Sequence, residues 1–337
     1  MILVTGATGL VGGHLLWHLL QENERVTAIR RKTSNLNALF KIFSFYTNDP
    51  QLYLDRIDWK IADVLDLNSL YEAMKNVTEI YHCAAVVSLG IGSVNLHNTN
   101  ITGTKNMVDA ALFSKADKFC FVSSIAACGR NKAGEDIDEK SIWEDSAARS
   151  AYSRSKYYSE LEVWLGIEKG LNAVIVNPGV ILGYSGTDTG SSRLFYQVRK
   201  GLMFYTDGGS GYIDVSDVIK AMMLLMKENS TAERFILVAE NCSNKDVLSR
   251  IANGFHKPKP KIKVGRKLLV VVGYFAEILG KVFHFNPLID RVMARSATNR
   301  EYYSGRKIQE KFGFVYSPVE NCILEVCQFI ENKSEKQ

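Results

Sequence analysis

A glycine-rich stretch near the amino terminus constrains the fold of this chain more than any other feature. Residues 5–13 read TGATGLVGG, directly after the apolar run ILVT and directly before the helical pattern HLLWHLLQ. Gly6, Gly9 and Gly12 permit a tight turn, a close backbone approach to a pyrophosphate and close packing of helix on strand. The helix start presents free N–H groups and a positive dipole end to phosphate. The stretch therefore predicts a strand, a phosphate-binding loop and a helix of the dinucleotide-binding type.

Short apolar runs alternate with longer helical patterns through the first half of the chain. Such strands, nearly continuous in apolar residues and separated by helices, are typical of a parallel sheet covered on both faces. The expected fold class is therefore α/β, a doubly wound parallel sheet (Rossmann fold), with ligands beyond the carboxyl ends of the strands. The runs are ILVT (2–5), VTAI (26–29), IDWKIA (57–62), EIYHCAA (79–85), KFCFVSS (118–124) and NAVIVNP (172–178).

The second half of the chain has a looser pattern. YIDVSDV (212–218) and RFILVAE (234–240) resemble strands that return to the sheet, and the last hundred residues are mainly helical in pattern. We expect a dinucleotide-binding domain and a smaller, mainly helical substrate domain with a cleft between them. The first would comprise residues 1–178 and 212–241, and the second residues 179–211 and 242–337.

An insert of residues 33–56 separates the second and third predicted strands. Leu36, Leu39, Phe40 and Phe43 recur there at helical spacing, which predicts a short amphipathic helix that covers a sheet edge.

Composition and charge exclude several classes of protein. With 46% hydrophobic and 23% charged residues, the chain is not expected to be disordered. The formal net charge of +5 is spread along the chain, so no nucleic-acid partner is expected. The strand-like start carries no pattern of a secretory signal, which makes a cytoplasmic location the default. The six cysteines form no C-x-x-C pair, so they are interpreted as reduced thiols, and no metal site is expected.

The end of the second predicted strand indicates which dinucleotide is bound. A free ribose 2′-OH is usually held by an acidic residue at this place, whereas this chain has Arg30, Arg31 and Lys32. Guanidinium groups suit a 2′-phosphate, so NADP(H) is the expected cofactor, with NAD(H) as the other option. A solvated basic loop is the alternative interpretation. Asp63, after the third strand, is placed to bind adenine or to cap the next helix.

The chain resembles the extended short-chain dehydrogenases/reductases over essentially its whole length. The matching stretches are TGATGLVG, HCAAVVSLG, NTNITGTKN, FVSSIAACG, YSRSK and VNPGVILG, in the family's order. Within that family, HCAA, VNPGVILG, SSRLF and RFILVAEN are most similar to the dihydroflavonol-4-reductase-like branch of the NAD-dependent epimerase/dehydratase superfamily.

The resemblance selects one of four Tyr-x-x-x-Lys pairs as catalytic. Tyr152 and Lys156 follow the strand that ends in VSS, and their spacing puts both side chains on one face of a helix. The lysine and a positive nicotinamide ring are expected to stabilise the phenolate, so that Tyr152 can donate or remove a proton. Lys156 would also hold the nicotinamide ribose. The other pairs are interpreted as coincidence: Tyr71/Lys75, Tyr196/Lys200 and Tyr303/Lys307.

Further site residues are implied by the same resemblance. Ser124 matches the family's catalytic serine, although Ser123 is a competing candidate, and Asn100 matches an asparagine at the active-site end of a helix whose role is structural or functional. Other positions match residues that line the nucleotide: Thr8, Leu10, Val11, Val64, Ala84, Ala85 and Pro178.

Three functions are compatible with these motifs. The favoured one is an NADPH-dependent reductase of an aldehyde or ketone, with Tyr152 as general acid/base. The alternative is a nucleotide-sugar epimerase or dehydratase with tightly held NAD. Sugar-nucleotide members usually carry Arg-Asp where this chain has Ser210-Gly211, although Arg193 is a candidate substitute. A redox-sensing or scaffold protein is disfavoured, because such relatives commonly lack the Tyr/Lys pair.

The substrate domain offers weaker indications about partners. Its aromatic residues could line a cleft for an apolar small molecule or form ordinary core: Phe195, Tyr196, Phe204, Tyr205 and Tyr212. The basic run KPKPKIKVGRK (257–267) precedes the apolar run LLVVVGYFAEILGKVF (268–283). The apolar run is too short to span a membrane, and a basic loop that leads into a buried helix is favoured over contact with a membrane surface. The resemblance is also compatible with a homodimer.

Overall fold

Seven parallel strands form the central sheet, which confirms the doubly wound α/β fold. The computed structural model describes residues 1–87, 96–130, 135–146, 149–269, 271, 274 and 297–335. With strands numbered along the chain, the spatial order is β3-β2-β1-β4-β5-β6-β10. These strands are β1 (Ile2–Thr5), β2 (Val26–Arg30), β3 (Ile57–Ile61), β4 (Glu79–His82), β5 (Lys118–Val122), β6 (Ala173–Pro178) and β10 (Glu233–Leu237).

Helices cover both faces of this sheet. On one face, Leu15 and Leu16 pack with Met222 against strand residues such as Val174; on the other, Met107 and Val163 pack against the sheet. The central strands therefore bury both sides, as their continuous apolar runs predict. The described helices are α1 (Leu10–Glu22), α2 (Asn37–Tyr46), α3 (Pro50–Leu54), α4 (Leu67–Ala73), α5 (Gly103–Ser114), α6 (Ala151–Glu168), α7 (Arg193–Arg199), α8 (Val215–Lys227), α9 (Asn244–Gly254), α10 (Arg306–Phe312) and α11 (Val319–Glu335).

A second, three-stranded sheet corrects one prediction. The strand predicted at 212–218 is β9 (Gly209–Asp214), and it pairs with β7 (Val180–Leu182) and β11 (Glu240–Ser243) rather than with the central sheet. It ends at Asp214 because that carboxylate accepts a hydrogen bond from the Ser216 amide and begins α8. The strand predicted at 234–240 does join the central sheet, as β10 beside β6.

A separate apolar cluster lies behind the second sheet. Its buried residues come from β7, β9, α7, α9 and α11, and include Leu182, Phe195, Tyr212, Val247 and Val326. Such an independent core is what a second domain requires, while the boundaries at residues 178, 212 and 242 remain a prediction. Among the aromatic candidates for a cleft, Phe195 and Tyr212 are thus core residues.

The insert of residues 33–56 contains the expected amphipathic helix. Leu39 and Phe43 of α2 are buried, whereas Phe40 is 44% exposed. The helix packs closely against α1, since a side-chain carbon on Gly13 would lie 2.7 Å from Ile42 Cδ1, and its buried residues share an apolar cluster with Ile57 of the edge strand β3. The insert therefore supports the helix that follows the glycine-rich loop.

Within the described part of the chain, no helix combines the length and apolar character that a membrane span requires. Most of the apolar run 268–283 lies outside the described residues.

Candidate active site

The glycine-rich loop is held by close backbone contacts. Gly6 has φ +68°, and a side-chain carbon on it would lie 2.6 Å from the Ala84 nitrogen. A carbon on Gly12 would lie 2.3 Å from the Gly6 carbonyl oxygen, and the Gly9 amide donates to that same oxygen at 2.9 Å. Glycine is therefore required at positions 6 and 12. Thr8, Leu10 and Val11 are partly exposed around the start of α1, where phosphate would bind.

A buried histidine connects this loop to the neighbouring strands. The Ala84 amide donates to Thr5 Oγ1 at 3.1 Å, and the Thr5 hydroxyl hydrogen-bonds with His82 Nδ1 at 2.8 Å. On the other side of the ring, His82 Nε2 hydrogen-bonds with Thr104 Oγ1 at 3.1 Å. Burial lowers the pKa of His82 to about 3, which keeps the ring neutral. Sequence reasoning missed this role, although a histidine at the end of an apolar strand was a visible signal.

The structure brings Ser124, Tyr152 and Lys156 together at the carboxyl end of β5. Tyr152 lies in the first turn of α6, and its phenol is close enough to Ser124, which follows β5, for that side chain to lower its pKa. One turn further along α6, the buried Lys156 ammonium donates to the Val122 carbonyl at 2.9 Å. It also lies 5.3 Å from the centre of the Phe121 ring. A phenol and a serine hydroxyl, with an ammonium one helical turn away, are the kinds of group that proton transfer to a carbonyl uses.

Burial shifts the pKa values of Tyr152 and Lys156 in opposite directions. Burial raises the pKa of Tyr152, and the hydrogen bond with Ser124 only partly offsets that effect, so the phenol carries its proton at neutral pH. Burial lowers the pKa of Lys156 to about 8, with Cys83 and Glu160 acting in the opposite direction. The Lys156 ammonium is thus still largely charged at pH 7.

The hydrogen bonds distinguish the two serine candidates. Ser123 is buried, and its hydroxyl donates to Glu160 Oε2 at 2.8 Å. Ser124 is partly exposed; its hydroxyl oxygen accepts from the Ala126 amide at 3.1 Å, and its side chain is close enough to Tyr152 to lower the pKa of that phenol. Only Ser124 therefore presents its hydroxyl toward Tyr152.

Sequence reasoning missed Glu160, a buried carboxylate one turn beyond Lys156. Its Oε2 accepts from Ser123 and, at 2.8 Å, from the Asn177 side-chain amide, which also donates to the Ser124 carbonyl at 3.0 Å. Its Oε1 lies 3.3 Å from the Arg234 guanidinium. The carboxylate thus joins α6, β5, β6 and β10 beneath the serine. A glutamate on the buried face of α6 was the only sequence signal.

Asn100 has a clear structural contribution. It is buried in a π-helical turn, where its Oδ1 accepts from the Val86 amide at 2.8 Å and its Nδ2 donates to the Val86 carbonyl at 3.0 Å. A third bond, at 3.0 Å, joins Nδ2 to Ser155 Oγ on α6. These bonds fix the segment after β4, including Ala84 and Ala85, against the helix that carries Tyr152.

The residues predicted to bind the adenosine end lie at the ends of β2 and β3. The Arg30 guanidinium lies 5.7 Å from the Trp59 ring centre, and its buried Nε has no hydrogen-bond partner in the described structure. Arg31 and Lys32 are exposed. Asp63 is partly exposed and its Oδ1 accepts from the Leu65 amide at 3.0 Å. An unpartnered guanidinium nitrogen beside two exposed cations fits a phosphate-bearing ligand.

Two details complete the adenosine end. Asp66, not Asp63, caps α4 by accepting from the Asn68 and Ser69 amides, so the capping alternative for Asp63 is wrong. Val64 is buried, and a side-chain carbon on Gly103 would lie 2.8 Å from its Cγ2. Pro178 ends β6 at the same edge of the sheet.

The lysines of the other three Tyr/Lys pairs have partners elsewhere. Lys75 pairs with Glu72 at 2.5 Å, Lys200 with Asp188 at 3.8 Å and Lys307 with Glu233 at 3.1 Å. Each lies on a different element from Ser124 and Tyr152.

Comparisons with known proteins agree with this geometry. A sequence profile of the NAD dependent epimerase/dehydratase family matches residues 2–238. A putative dihydroflavonol 4-reductase of Synechocystis is 28% identical over 98% of this chain and 94% of its own length.

Solved structures share the fold over nearly the whole chain. The crystal structure of gox2253 superposes with a TM-score of 0.81 at 26% identity, covering 99% of this chain and 98% of that one. A UDP-glucose 4-epimerase from Thermotoga maritima, solved with UDP-glucose, gives a TM-score of 0.76 at 16% identity, covering 98% of this chain and 99% of that one. The second likeness bears on the fold alone.

Proposed function

Because this chain belongs to the NAD-dependent epimerase/dehydratase family and is an NAD(P)-dependent oxidoreductase of the extended short-chain dehydrogenase/reductase type, we propose that it reduces an aldehyde or ketone with NADPH. The observation that carries the proposal is that Ser124, Tyr152 and the buried Lys156 meet at the carboxyl end of β5: Tyr152 and Lys156 lie one turn apart on α6, and the Lys156 ammonium donates to the Val122 carbonyl at 2.9 Å. A protonated phenol with a second hydroxyl is an acid site for a carbonyl oxygen.

The residues of this site have distinct roles in the proposed reaction. A bound nicotinamide cofactor supplies the hydride to the carbonyl carbon. Tyr152 donates its phenolic proton to the carbonyl oxygen, and Ser124 donates a hydrogen bond that positions that oxygen. The Lys156 ammonium stabilises the phenolate left on Tyr152 after the transfer. Burial, which raises the pKa of Tyr152, keeps the proton available for reduction at neutral pH.

The preference for NADPH is supported by the adenosine end of the site. The loop with Gly6 and Gly12 holds backbone close to where a pyrophosphate would lie, which suits any dinucleotide. Arg30, with its unpartnered Nε, and Arg31 would pair with a 2′-phosphate, because guanidinium groups bind phosphate oxygens through two parallel hydrogen bonds.

Replacement of the phenol tests the proposal directly. We expect Tyr152→Phe to lower the turnover of a carbonyl substrate by on the order of 100-fold or more, because the proton donor is lost. NADPH affinity should stay nearly unchanged. Tyr158→Phe is the matched control, since Tyr158 is exposed on the same helix. Steady-state kinetics with NADPH binding by fluorescence measure both effects, and full turnover by Tyr152→Phe would refute the assignment.

A second candidate, a nucleotide-sugar epimerase or dehydratase, depends on Arg193. This residue begins α7 half-buried and forms no ion pair with the described residues, so it could hold a diphosphate. The two candidates differ in how the cofactor is kept. Denaturing the purified protein and identifying any released dinucleotide by mass spectrometry separates them. Retained NAD⁺ would favour the epimerase or dehydratase, whereas NADP(H), or an empty site that prefers NADPH, would favour the reductase.

A further inference from the structure

A small surface remote in sequence from the active-site motifs combines exposed apolar and basic side chains. Residues 203–205 and 257–268, called the basic ribbon below, meet where β8 (Phe204–Tyr205) pairs in parallel with β12 (Ile262–Lys263). Phe204 and Ile262 are register partners, so their side chains share a face of the ribbon. They are 52% and 48% exposed. The ribbon thus presents an apolar pair to solvent.

The charge of this surface is strongly positive. Of its cations, only Lys263 forms an ion pair with a described residue, Asp207. Arg199 and Lys200 extend the positive surface, because they line a cleft of about 330 Å³ together with Lys257, Tyr196 and Glu331. The exposed cations of the ribbon itself are Lys257, Lys259, Lys261, Lys263, Arg266 and Lys267.

The favoured sequence interpretation, a basic loop leading into a buried helix, falls mostly outside the described residues, and the described residues that directly follow the ribbon are mainly exposed. Leu268 is 59% exposed and Val271 is 51% exposed, and only Leu269 is buried. Leu268 and Val271 therefore present further apolar side chains to solvent close in sequence to the ribbon.

The combination of charges and apolar groups limits what can cover this surface. The chain's own residues 270–296 carry only Glu277 and Asp290 as carboxylates, together with Lys281, Arg291 and Arg295, so they cannot neutralise the ribbon. A second copy of the ribbon would repel it, since both surfaces are positive. Nucleic acid would pair with the cations but would leave the exposed aliphatic side chains in water.

An anionic lipid bilayer satisfies both groups at once. Apolar side chains enter the interface between headgroups and acyl chains, while lysine stems extend their ammonium groups to the lipid phosphates. We propose that the basic ribbon docks this protein on the surface of an anionic lipid membrane. The docking does not depend on the reaction proposed above.

Vesicle sedimentation tests the docking without any substrate. We expect the full-length protein to sediment at low salt with vesicles of phosphatidylcholine that contain about 30% phosphatidylglycerol, and not with pure phosphatidylcholine. High salt should release it, because the attraction between charges is screened. Lys259→Glu with Lys261→Glu should weaken binding about tenfold or more. Phe204→Ser with Ile262→Ser should weaken it severalfold.

Matched control variants separate the ribbon from general charge and apolarity. Lys115→Glu with Lys169→Glu makes the same charge change at two exposed lysines away from the ribbon. Phe113→Ser removes an aromatic side chain that is 70% exposed on α5. Both controls should sediment like the unchanged protein, and circular dichroism should show that every variant is folded.

Four results would overturn the proposal. They are no sedimentation with anionic vesicles, equal sedimentation with neutral ones, ribbon variants that behave like the controls, and binding of duplex DNA through these lysines without any vesicle binding. One further result would also contradict it. If the protein is a dimer that dissociates when Phe204 and Ile262 are both changed to Ser, and no vesicle binding is seen, the surface binds a second copy of the chain and not a membrane.

Discussion

The two ends of the proposed dinucleotide site are built in opposite ways. At the pyrophosphate end, backbone atoms crowd Gly6 and Gly12 so closely that no side chain fits. At the adenosine end, Arg31 and Lys32 are exposed and the Nε of Arg30 has no partner in the described structure. Steric exclusion of side chains shapes the pyrophosphate end, whereas cationic side chains with few partners shape the adenosine end. Binding of a dinucleotide should therefore be hard to alter, and the choice between dinucleotides easy to alter.

The crowded end gives the largest expected effect. Gly12→Ala should abolish measurable NADPH binding or prevent folding, because its new carbon would lie 2.3 Å from the Gly6 carbonyl oxygen. Gly265→Ala is the matched control, since no atom lies within 4 Å of the carbon it would add. Calorimetric titration with NADPH measures the difference. Normal NADPH affinity in Gly12→Ala would show that the backbone of the loop can shift to accommodate the added carbon.

The second largest effect is expected at Glu160, the buried carboxylate beneath Ser124. Glu160→Gln should lower the free energy of unfolding by about 3 kcal/mol, because it breaks a buried ion pair with Arg234 and turns one acceptor into a donor. Urea unfolding measures this loss. Glu162→Gln on the same helix is the control. An equally small loss of unfolding free energy in both variants would show that the Glu160 carboxylate does not stabilise the fold.

Lys156 is expected to make the free energy of unfolding depend on pH. Its pKa is about 8 in the folded protein, below the ordinary 10.5, so the buried charge costs stability at pH 7. As pH rises from 7 to about 9.5, the folded protein loses this proton before the unfolded chain does. Wild type should therefore gain about 2 kcal/mol relative to Lys156→Met over that range. Urea unfolding of both proteins at the two pH values measures the gain, and parallel curves would contradict it.

The open end gives the smallest effect and the sharpest test of the comparison. Arg30→Ala with Arg31→Ala should weaken NADPH binding about tenfold or more and leave NADH binding nearly unchanged, because only the 2′-phosphate loses its partners. Lys60→Ala, an exposed cation on β3, is the control. Equal losses for both cofactors would show that the guanidinium groups do not discriminate between them.

The central sheet and the phosphate loop were predictable because their signals are local. Strand composition, helical periodicity and glycine spacing each depend on neighbouring residues, and they predicted β1, α1 and the position of β10. The sheet to which β9 belongs was not predictable, since an apolar run does not indicate its pairing partner. The exposed position of Phe40 was missed for a similar reason: periodicity predicts a helix, but only the partner helix α1 determines which face is buried.

Some residues of the candidate site were likewise predictable from local signals, and others were not. Tyr152, Lys156 and the serine pair were predictable from motifs and resemblance. The choice of Ser124 over Ser123 required the position of Glu160, which is distant in sequence and close in space. Hydrogen-bond partners of this kind are set by tertiary packing, and no spacing in the chain encodes them.

The neutral ring of His82 carries a proton that can report, by magnetic resonance, whether the junction of β1, β4 and α5 is intact. Its single ring N–H proton is held in a buried hydrogen bond to Thr5 or to Thr104, and the Phe121 ring stacks on the imidazole with the two ring centres 5.6 Å apart. A proton so shielded exchanges slowly with water and resonates far from the crowded amide region in a magnetic resonance spectrum. A single signal would thus follow the integrity of the loop that faces the pyrophosphate, in every variant and without any ligand.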